Sequence, residues 1–154
     1  MTNKLNILKR KQKGKLKLKA YKLLFKEFTK LEWIDLEKSD LILKELNKKG
    51  LQKIVKRTEF INSDENFIES DLLREVYLKL EDGSSCYMFT DDFEYCGMFE
   101  VDSKEAFENA LKIAKLDENN TCFILDTNSG FSFTINFYDD AHNDYPCRFD
   151  IQRR

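Results

Sequence analysis

An apolar stripe with helical spacing runs along the N-terminal third of the chain. It predicts an amphipathic helix over residues 15–32, because apolar side chains recur there every three or four positions. The stripe consists of Tyr21, Leu24, Phe25, Phe28 and Leu31. The opposite side of this helix carries a ridge of five lysines, which are Lys15, Lys19, Lys22, Lys26 and Lys30. Residues 1–14 are rich in lysine but lack the period, which predicts a mobile basic arm.

A second helix is predicted from Ser39, a favourable N-cap residue, to Lys49. Gly50 follows at the position where many helices end in a left-handed residue. Residues 51–55 fit a continued helix and a strand equally well. The Asn-, Ser- and Asp-containing composition of residues 58–71 is typical of a loop.

The period changes to two after this loop. Apolar and polar residues alternate over residues 73–81, which predicts a strand. Asp82-Gly83 is a strong hairpin signal, and residues 86–90 are predicted as the return strand. Residues 95–101 are predicted as a third strand.

The clearest helix signal covers residues 102–116. Its first residue is an aspartate that caps the helix, and Glu105 completes a pattern like the capping box. Its predicted buried face consists of Phe107, Ala110, Leu111 and Ala114. A second hairpin follows, with strands over residues 121–126 and 131–138, and a short final strand covers residues 145–152.

This order of elements predicts an α+β fold. N-terminal helices precede an antiparallel sheet of about five to six strands, which packs on the helix at about 102–116. We expect a single domain over residues 15–154 behind the arm of residues 1–14. Within it a basic helical part covers about 15–58 and an acidic sheet part covers about 72–154.

Charge is sorted along the chain in the same way. Residues 1–58 hold 18 of the 26 Lys and Arg residues but 6 of the 28 Asp and Glu residues, a formal charge of +12. The remaining residues carry a formal charge of −14, although the net charge of the chain is only −2. Such an asymmetry concerns the partners of a protein rather than its fold.

Catalysis, cofactors and a membrane span are not predicted. No secretory signal or apolar run long enough for a span is visible, so we expect a cytoplasmic protein. The four cysteines lack metal-ligand spacing and are expected to be reduced and mostly buried. The single histidine, His142, lies in a polar, turn-like segment, and no nucleophile or phosphate-binding motif accompanies it. We therefore expect a binding protein and not an enzyme.

The acidic half is the stronger candidate for partner binding. Carboxylates interleaved with tyrosines suit a surface that docks a basic protein, since charge steers association and aromatic side chains anchor it. The candidate residues are Asp91, Asp92, Glu94, Tyr95, Tyr138, Asp139, Asp140, Asp144 and Tyr145. The alternative is that these charges only keep the protein soluble.

The lysine ridge from Lys15 to Lys30 is the candidate polyanion-binding feature. It fits nucleic acid or an anionic membrane surface, and on that basis the chain would be a regulatory protein that acts through its N-terminal helix. A solvated helix face that pairs with the acidic half of the same chain is the alternative interpretation.

Three segments resemble the immunity proteins of bacteria, the small cytoplasmic inhibitors paired with polymorphic or contact-dependent growth inhibition toxins. They are Leu80-Glu81-Asp82-Gly83-Ser84, Phe89-Thr90-Asp91-Asp92-Phe93-Glu94-Tyr95 and Gly97-Met98-Phe99-Glu100-Val101. The resemblance covers roughly the C-terminal half and lies in size, acidity and antiparallel pattern. It implies one-to-one binding of a cognate toxin domain, often a basic nuclease.

Overall fold

Five helices and seven strands make up the part of the chain that the structure describes. The computed structural model describes residues 2–48, 55–61, 71–117, 121–127, 132–139 and 147–153. The helices are α1 Thr2–Phe25, α2 Leu36–Lys48, α3 Asp71–Lys79, α4 Phe93–Cys96 and α5 Ser103–Ala114. The strands are β1 Leu31–Ile34, β2 Val55–Ile61, β3 Ser85–Thr90, β4 Met98–Asp102, β5 Thr121–Asp126, β6 Ser132–Asp139 and β7 Cys147–Arg153.

All seven strands belong to one antiparallel sheet with the order β1-β4-β3-β5-β6-β7-β2. The α+β class, the antiparallel sheet and its packing on the helix near residues 102–116 are confirmed. The described sheet has more strands than the five to six expected, because β1 and β2 add one edge each.

The main core lies on the face of the sheet that α1 and α5 cover, here called the inner face. Phe25 of α1 stacks on Phe99 of β4 with 4.0 Å between ring centroids. Phe107 of α5 meets Phe133 of β6 edge to face at 5.4 Å. All four rings are buried, and such pairs add specific geometry to the apolar area that they remove from water.

A smaller core lies on the opposite face, here called the outer face. Ile34 and Met98 are buried there, with Ile42 and Leu43 of α2 packed against the same cluster. Ser39 ties α2 to this edge, because its Oγ donates to the Ile34 carbonyl and accepts the Met98 N–H, both at 3.1 Å. Helix α2 therefore covers the outer face at the Ile34–Met98 end of the β1–β4 pair.

The first helix begins earlier than predicted. The expected helix over residues 15–32 and the irregular arm of residues 1–14 are wrong in their bounds, since α1 runs from Thr2 to Phe25. Lysine is a good helix former, so a lysine-rich segment without a buried apolar stripe still forms a helix when its neighbours hold it. Arg10 provides such a contact, because its guanidinium donates to both carboxylate oxygens of Asp40 at 2.8 and 3.0 Å.

The same helix ends earlier than predicted, and β1 follows it. Trp33 of β1 donates its indole N–H to the Cys96 carbonyl at 2.9 Å, and Leu31 pairs with Val101 of β4. Leu31 therefore belongs to an edge strand paired with β4, although the apolar stripe predicted it as part of the helix. Four residues are also too short a strand to show a period of their own.

The start of α2 also differs from the prediction. Asp35, and not Ser39, caps this helix, because its carboxylate accepts the Lys38 N–H at 2.9 Å. Ser39 lies inside the helix and is buried against β1 and β4.

Two further assignments are wrong. Residues 73–81 do not form a strand, since α3 covers Asp71–Lys79. Tyr77 and Leu80 pack against the inner core at a spacing of three, so the segment fits a helical period as well as an alternating one. Part of the predicted loop over residues 58–71 belongs to β2, whose partner β7 lies far away in sequence.

The C-terminal half follows the prediction more closely. Helix α5 and strands β3, β5 and β6 match within one or two residues, and β4 and β7 begin three and two residues later than predicted. Asp102 accepts the Glu105 N–H at 3.1 Å and so caps α5 as expected. Glu105 does not complete a capping box, because its carboxylate accepts the Thr29 N–H and hydroxyl at 3.0 and 2.8 Å.

Candidate partner-binding surfaces

Asp92, one of the predicted partner-binding residues, is buried beneath α1. Its carboxylate accepts the Tyr21 hydroxyl at 2.6 Å and the Lys17 ammonium at 3.0 Å. Thr90 shares this network, with its Oγ1 2.8 Å from the Tyr21 oxygen and accepting the Asp92 N–H at 3.1 Å. Burial, followed by the bond to Asp92, raises the pKa of Tyr21, so the phenol remains a donor at ordinary pH. The structure therefore places Asp92 in an internal anchor for α1.

The neighbouring predicted residues lie at the surface. Asp91 and Glu94 are exposed, and Tyr95 is partly buried against the Gly14 backbone of α1. The Glu94 carbonyl, rather than its carboxylate, accepts a hydrogen bond from the Arg10 Nε. This leaves the Glu94 carboxylate at the surface beside α1.

The remaining predicted residues fall at or beyond the end of β6. Tyr138 and Asp139 pair with Arg148 and Cys147 of β7. The register places the end of β6 and the end of β3 at the same end of the sheet, with Ile135 level with Thr90 two strands away and Asp139 four residues beyond Ile135. Asp140, Asp144 and Tyr145 lie outside the described residues. The fold thus brings the Asp91 turn and the end of β6 to one side of the molecule.

A second acidic surface, which the sequence reasoning missed, lies on the outer face. Glu32 of β1 pairs directly with Glu100 of β4, and Glu100 pairs with Tyr87 of β3. Phe123 of β5 stacks on Phe89 of β3 at 5.0 Å beside them. We call Glu32, Glu100, Tyr87 and Phe123 the outer-face patch. Its acidic edge could not be found from the sequence, because β1 was assigned to a helix.

The electrostatics of the outer-face patch are unfavourable to the isolated protein. Like charges at directly opposite positions in a sheet are destabilising. Within the described residues, no lysine or arginine forms an ion pair with Glu32 or Glu100. Partial burial, and then Glu100 and Glu32, raise the pKa of Tyr87. Tyr87 and Phe123 are only partly buried, so the patch presents aromatic surface beside two carboxylates.

The lysine ridge is only partly a helix surface. Lys15, Lys19 and Lys22 are exposed on α1, whereas Lys26 and Lys30 follow its last residue. The Lys22 ammonium lies 4.1 Å from the centre of the Trp33 ring, a cation–π contact. The whole of α1 contains nine basic residues and no acidic one. This is the strongest concentration of positive charge in the described structure.

An open groove of about 740 Å³ separates the N-terminal half of α1 from α4. Its charged and aromatic lining consists of Lys9, Arg10, Lys13, Glu94 and Tyr95. Arg10 is held by Asp40, while Lys9 and Lys13 are exposed. The groove continues the basic surface of α1 and mixes it with one carboxylate.

The described cysteine side chains are buried, and the described side chains offer no metal site. Cys86, Cys96 and Cys122 are free and buried, as expected, and burial raises the pKa of each. In the described residues, no group of three side chains is arranged to hold a metal ion. His142 lies outside them.

No protein-family model, curated protein or solved structure matches the chain significantly. Among the described helices, none combines the length and apolar character that crossing a membrane requires.

Proposed function

We propose that this chain is a non-catalytic binding protein that neutralises a basic protein, and that the outer-face patch is its docking surface. The observation that carries the proposal is the Glu32–Glu100 pair, in which two glutamates occupy directly opposite positions on neighbouring strands of the outer face. The like charges of the pair lower the stability of the free protein. A positively charged side chain of a bound partner would remove this repulsion. A surface with this property favours the complex over the free state.

The aromatic side chains supply the second requirement of a docking surface. Binding energy in an interface is concentrated in a few large side chains near its centre, and charges at its rim mainly speed and orient association. Tyr87 is partly exposed and pairs with Glu100, while Phe123 lies one strand further on, where its ring stacks on the buried Phe89 of the neighbouring strand. The exposed Asp91 and Glu94 add acidic rim at the end of the sheet.

The class of partner follows from the resemblance to bacterial immunity proteins. That resemblance implies a cognate toxin domain, and a basic nuclease is the toxin class that an acidic surface suits. On this proposal the chain acts in the cytoplasm of the cell that makes the toxin. No cofactor or catalytic residue is needed, because blocking the nuclease surface is sufficient.

The proposal predicts that substitutions in the outer-face patch weaken binding of the partner without destabilising the protein. Glu32→Lys with Glu100→Lys should weaken binding of a cognate basic nuclease domain at least about tenfold, mainly through the association rate. Glu81→Lys is the matched control, because Glu81 is exposed at a turn remote from the patch. Binding is measured by surface plasmon resonance at two salt concentrations, and protection by growth on coexpression.

The single substitution Glu32→Gln provides the second readout. It removes the like-charge pair, so the free protein should unfold at equal or higher urea concentration while its binding weakens. A patch without function would gain the stability and keep the affinity. That result, or binding by the double variant at the wild-type rate, would reject the outer-face patch as the docking surface.

A further inference from the structure

A row of exposed leucines runs along α1 on the side away from the protein core. Their side chains are among the most exposed large apolar groups described: Leu5 57%, Leu8 56%, Leu16 82% and Leu23 64%. At 100° per residue, Leu5, Leu16 and Leu23 fall within about 20° of one another on the helix circumference. Leu8 follows Leu5 by one turn. These four residues are here called the leucine stripe.

The leucine stripe plays no part in holding α1 to the protein. The core contacts of the helix lie on the opposite side, where Gly14, Tyr21 and Phe25 are buried. Apolar side chains therefore occupy two opposite sides of one helix. Folding explains the buried side but not the exposed one.

Lysines border the leucine stripe on both sides. Lys9 and Lys13 lie about 40° and 80° from its centre in one direction, and Lys19 and Lys15 lie the same angles away in the other. All four are exposed. Since α1 has nine basic residues and no acidic one, every charge that the helix itself places around the stripe is positive.

We propose that this face of α1 docks on the surface of an anionic phospholipid membrane. A helix lying in the interface places leucines at the level of the acyl chains, while lysine stems extend outward so that their ammonium groups meet lipid phosphates. The stripe spans eighteen residues, or about 27 Å, which gives the helix a long line of contact. Anionic lipids match the charge of the flanking lysines, and the acyl chains match the leucines.

Two other occupants fit the surface less well. Nucleic acid would pair with the lysines but would leave the leucines against phosphates or water. A second copy of α1 would bring nine basic residues against nine, which opposes association. The membrane satisfies both halves of the pattern.

The proposed orientation leaves the outer-face patch accessible. The C-terminal half of α1 packs on the inner face of the sheet with α5, whereas Glu32, Glu100 and Tyr87 lie on the opposite face. A protein resting on lipid through α1 would thus direct the patch away from the bilayer. The membrane proposal stands independently of the patch, because it rests on α1 alone.

Vesicle sedimentation with the full chain tests the proposal. The protein should pellet with phosphatidylcholine vesicles that contain about 30% phosphatidylglycerol, and far less with phosphatidylcholine alone, at about 0.1 M salt. Leu16→Gln with Leu23→Gln should lower the partition coefficient at least about tenfold. Lys15→Gln with Lys19→Gln should lower it several-fold and weaken its dependence on salt.

Matched controls separate membrane contact from misfolding. Leu78→Gln changes a leucine that is 75% exposed on α3, and it should leave the partition coefficient unchanged. Thermal unfolding of the Leu16/Leu23 variant should match that of the wild type, because both side chains are exposed.

The proposal is overturned if the wild-type protein ignores anionic vesicles, or if the leucine variant still binds them as well as the wild type. Duplex DNA bound more tightly than vesicles, and equally by the leucine variant, would assign the lysines to nucleic acid instead. A wild-type dimer that the leucine variant dissociates, with no vesicle binding, would assign the leucine stripe to a second copy of the chain.

Discussion

Two adjacent aspartates show how little the residue type says about its role. Asp91 and Asp92 have the same chemistry and the same sequence context, yet Asp91 is exposed and Asp92 is buried. Asp92 is buried because α1 crosses the turn after β3 and supplies Tyr21 and Lys17 to its carboxylate. These contacts join residues more than seventy positions apart, so no local pattern announces them.

The first prediction follows from this anchor. Asp92→Ala should lower the free energy of unfolding by about 2–3 kcal/mol, because it leaves the Tyr21 hydroxyl and the Lys17 ammonium without their charged acceptor. Urea unfolding followed by circular dichroism measures the change. Glu94→Ala is the control and should stay within about 0.5 kcal/mol of the wild type, since its carboxylate is exposed. Equal stability of the two variants would show that the anchor contributes nothing.

At the scale of the element, α1 is held by its close approach to α4. A Cβ built on Gly14 would lie only 2.6 Å from the Tyr95 Cβ, and the Tyr95 carbonyl oxygen is a neighbour as well. Glycine is therefore needed in the middle of this helix for space, although it is a poor helix former. Gly14 therefore contributes to stability through the packing of α1 against α4 and not through the helix propensity of α1.

The second prediction uses this conflict between local and tertiary preference. Gly14→Ala improves the helix propensity of α1 by about 1 kcal/mol, yet the protein should lose stability, because α1 or α4 must shift to admit the methyl group. Gln12→Ala, on the exposed side of the same helix, should be neutral or slightly stabilising. Thermal unfolding of both variants makes the comparison. A Gly14→Ala variant more stable than the wild type would mean that the two helices do not touch as described.

The elements that the sequence predicted are those whose patterns are long and local. Helix α5 has a cap and three apolar turns, and β5 and β6 form a hairpin around a short turn, so each carries its own signal. Strand β1 has four residues, and α3 is short enough to fit either period, so their identity depends on what they pack against. Of the predicted site, the acidic half of the chain was visible, but the Glu32–Glu100 pair required knowledge of strand register.

At the scale of the whole molecule, distant segments close the sheet. Strand β2 pairs along its length with β7, almost a hundred residues later, and β1 pairs with β4 although three helices and two strands lie between them in the chain. The basic and acidic parts of the sequence are consequently not separate units, since the basic part supplies both edge strands. In the folded protein, positive charge is concentrated on α1, and the carboxylates of Glu32 and Glu100 lie on the outer face of the sheet.

Among the residues whose side chains the structure describes, the core of this sheet holds three buried thiols that couple folding to pH. Burial raises the pKa of Cys86 and Cys122, and it raises that of Cys96 to about 12. In the unfolded chain each thiol titrates near its ordinary value of about 8.5. Above that pH the unfolded state binds fewer protons than the folded state, so stability is complete below it and falls as pH rises.

The last prediction is therefore a steep loss of stability in mild alkali. Each thiol should remove about 1.4 kcal/mol per pH unit above pH 8.5, so the free energy of unfolding should fall by about 4 kcal/mol per unit between pH 9 and 10. Cys122→Ala should reduce this slope by about one third. Ile113→Val, a comparable core truncation with no titrating group, should lower stability at every pH and leave the slope unchanged. Urea unfolding at pH 8, 9 and 10 gives the slopes, and identical slopes for Cys122→Ala and the wild type would contradict the coupling. The slope arises because a buried thiol keeps its proton in the folded state at a pH where the same thiol in the unfolded chain has lost it.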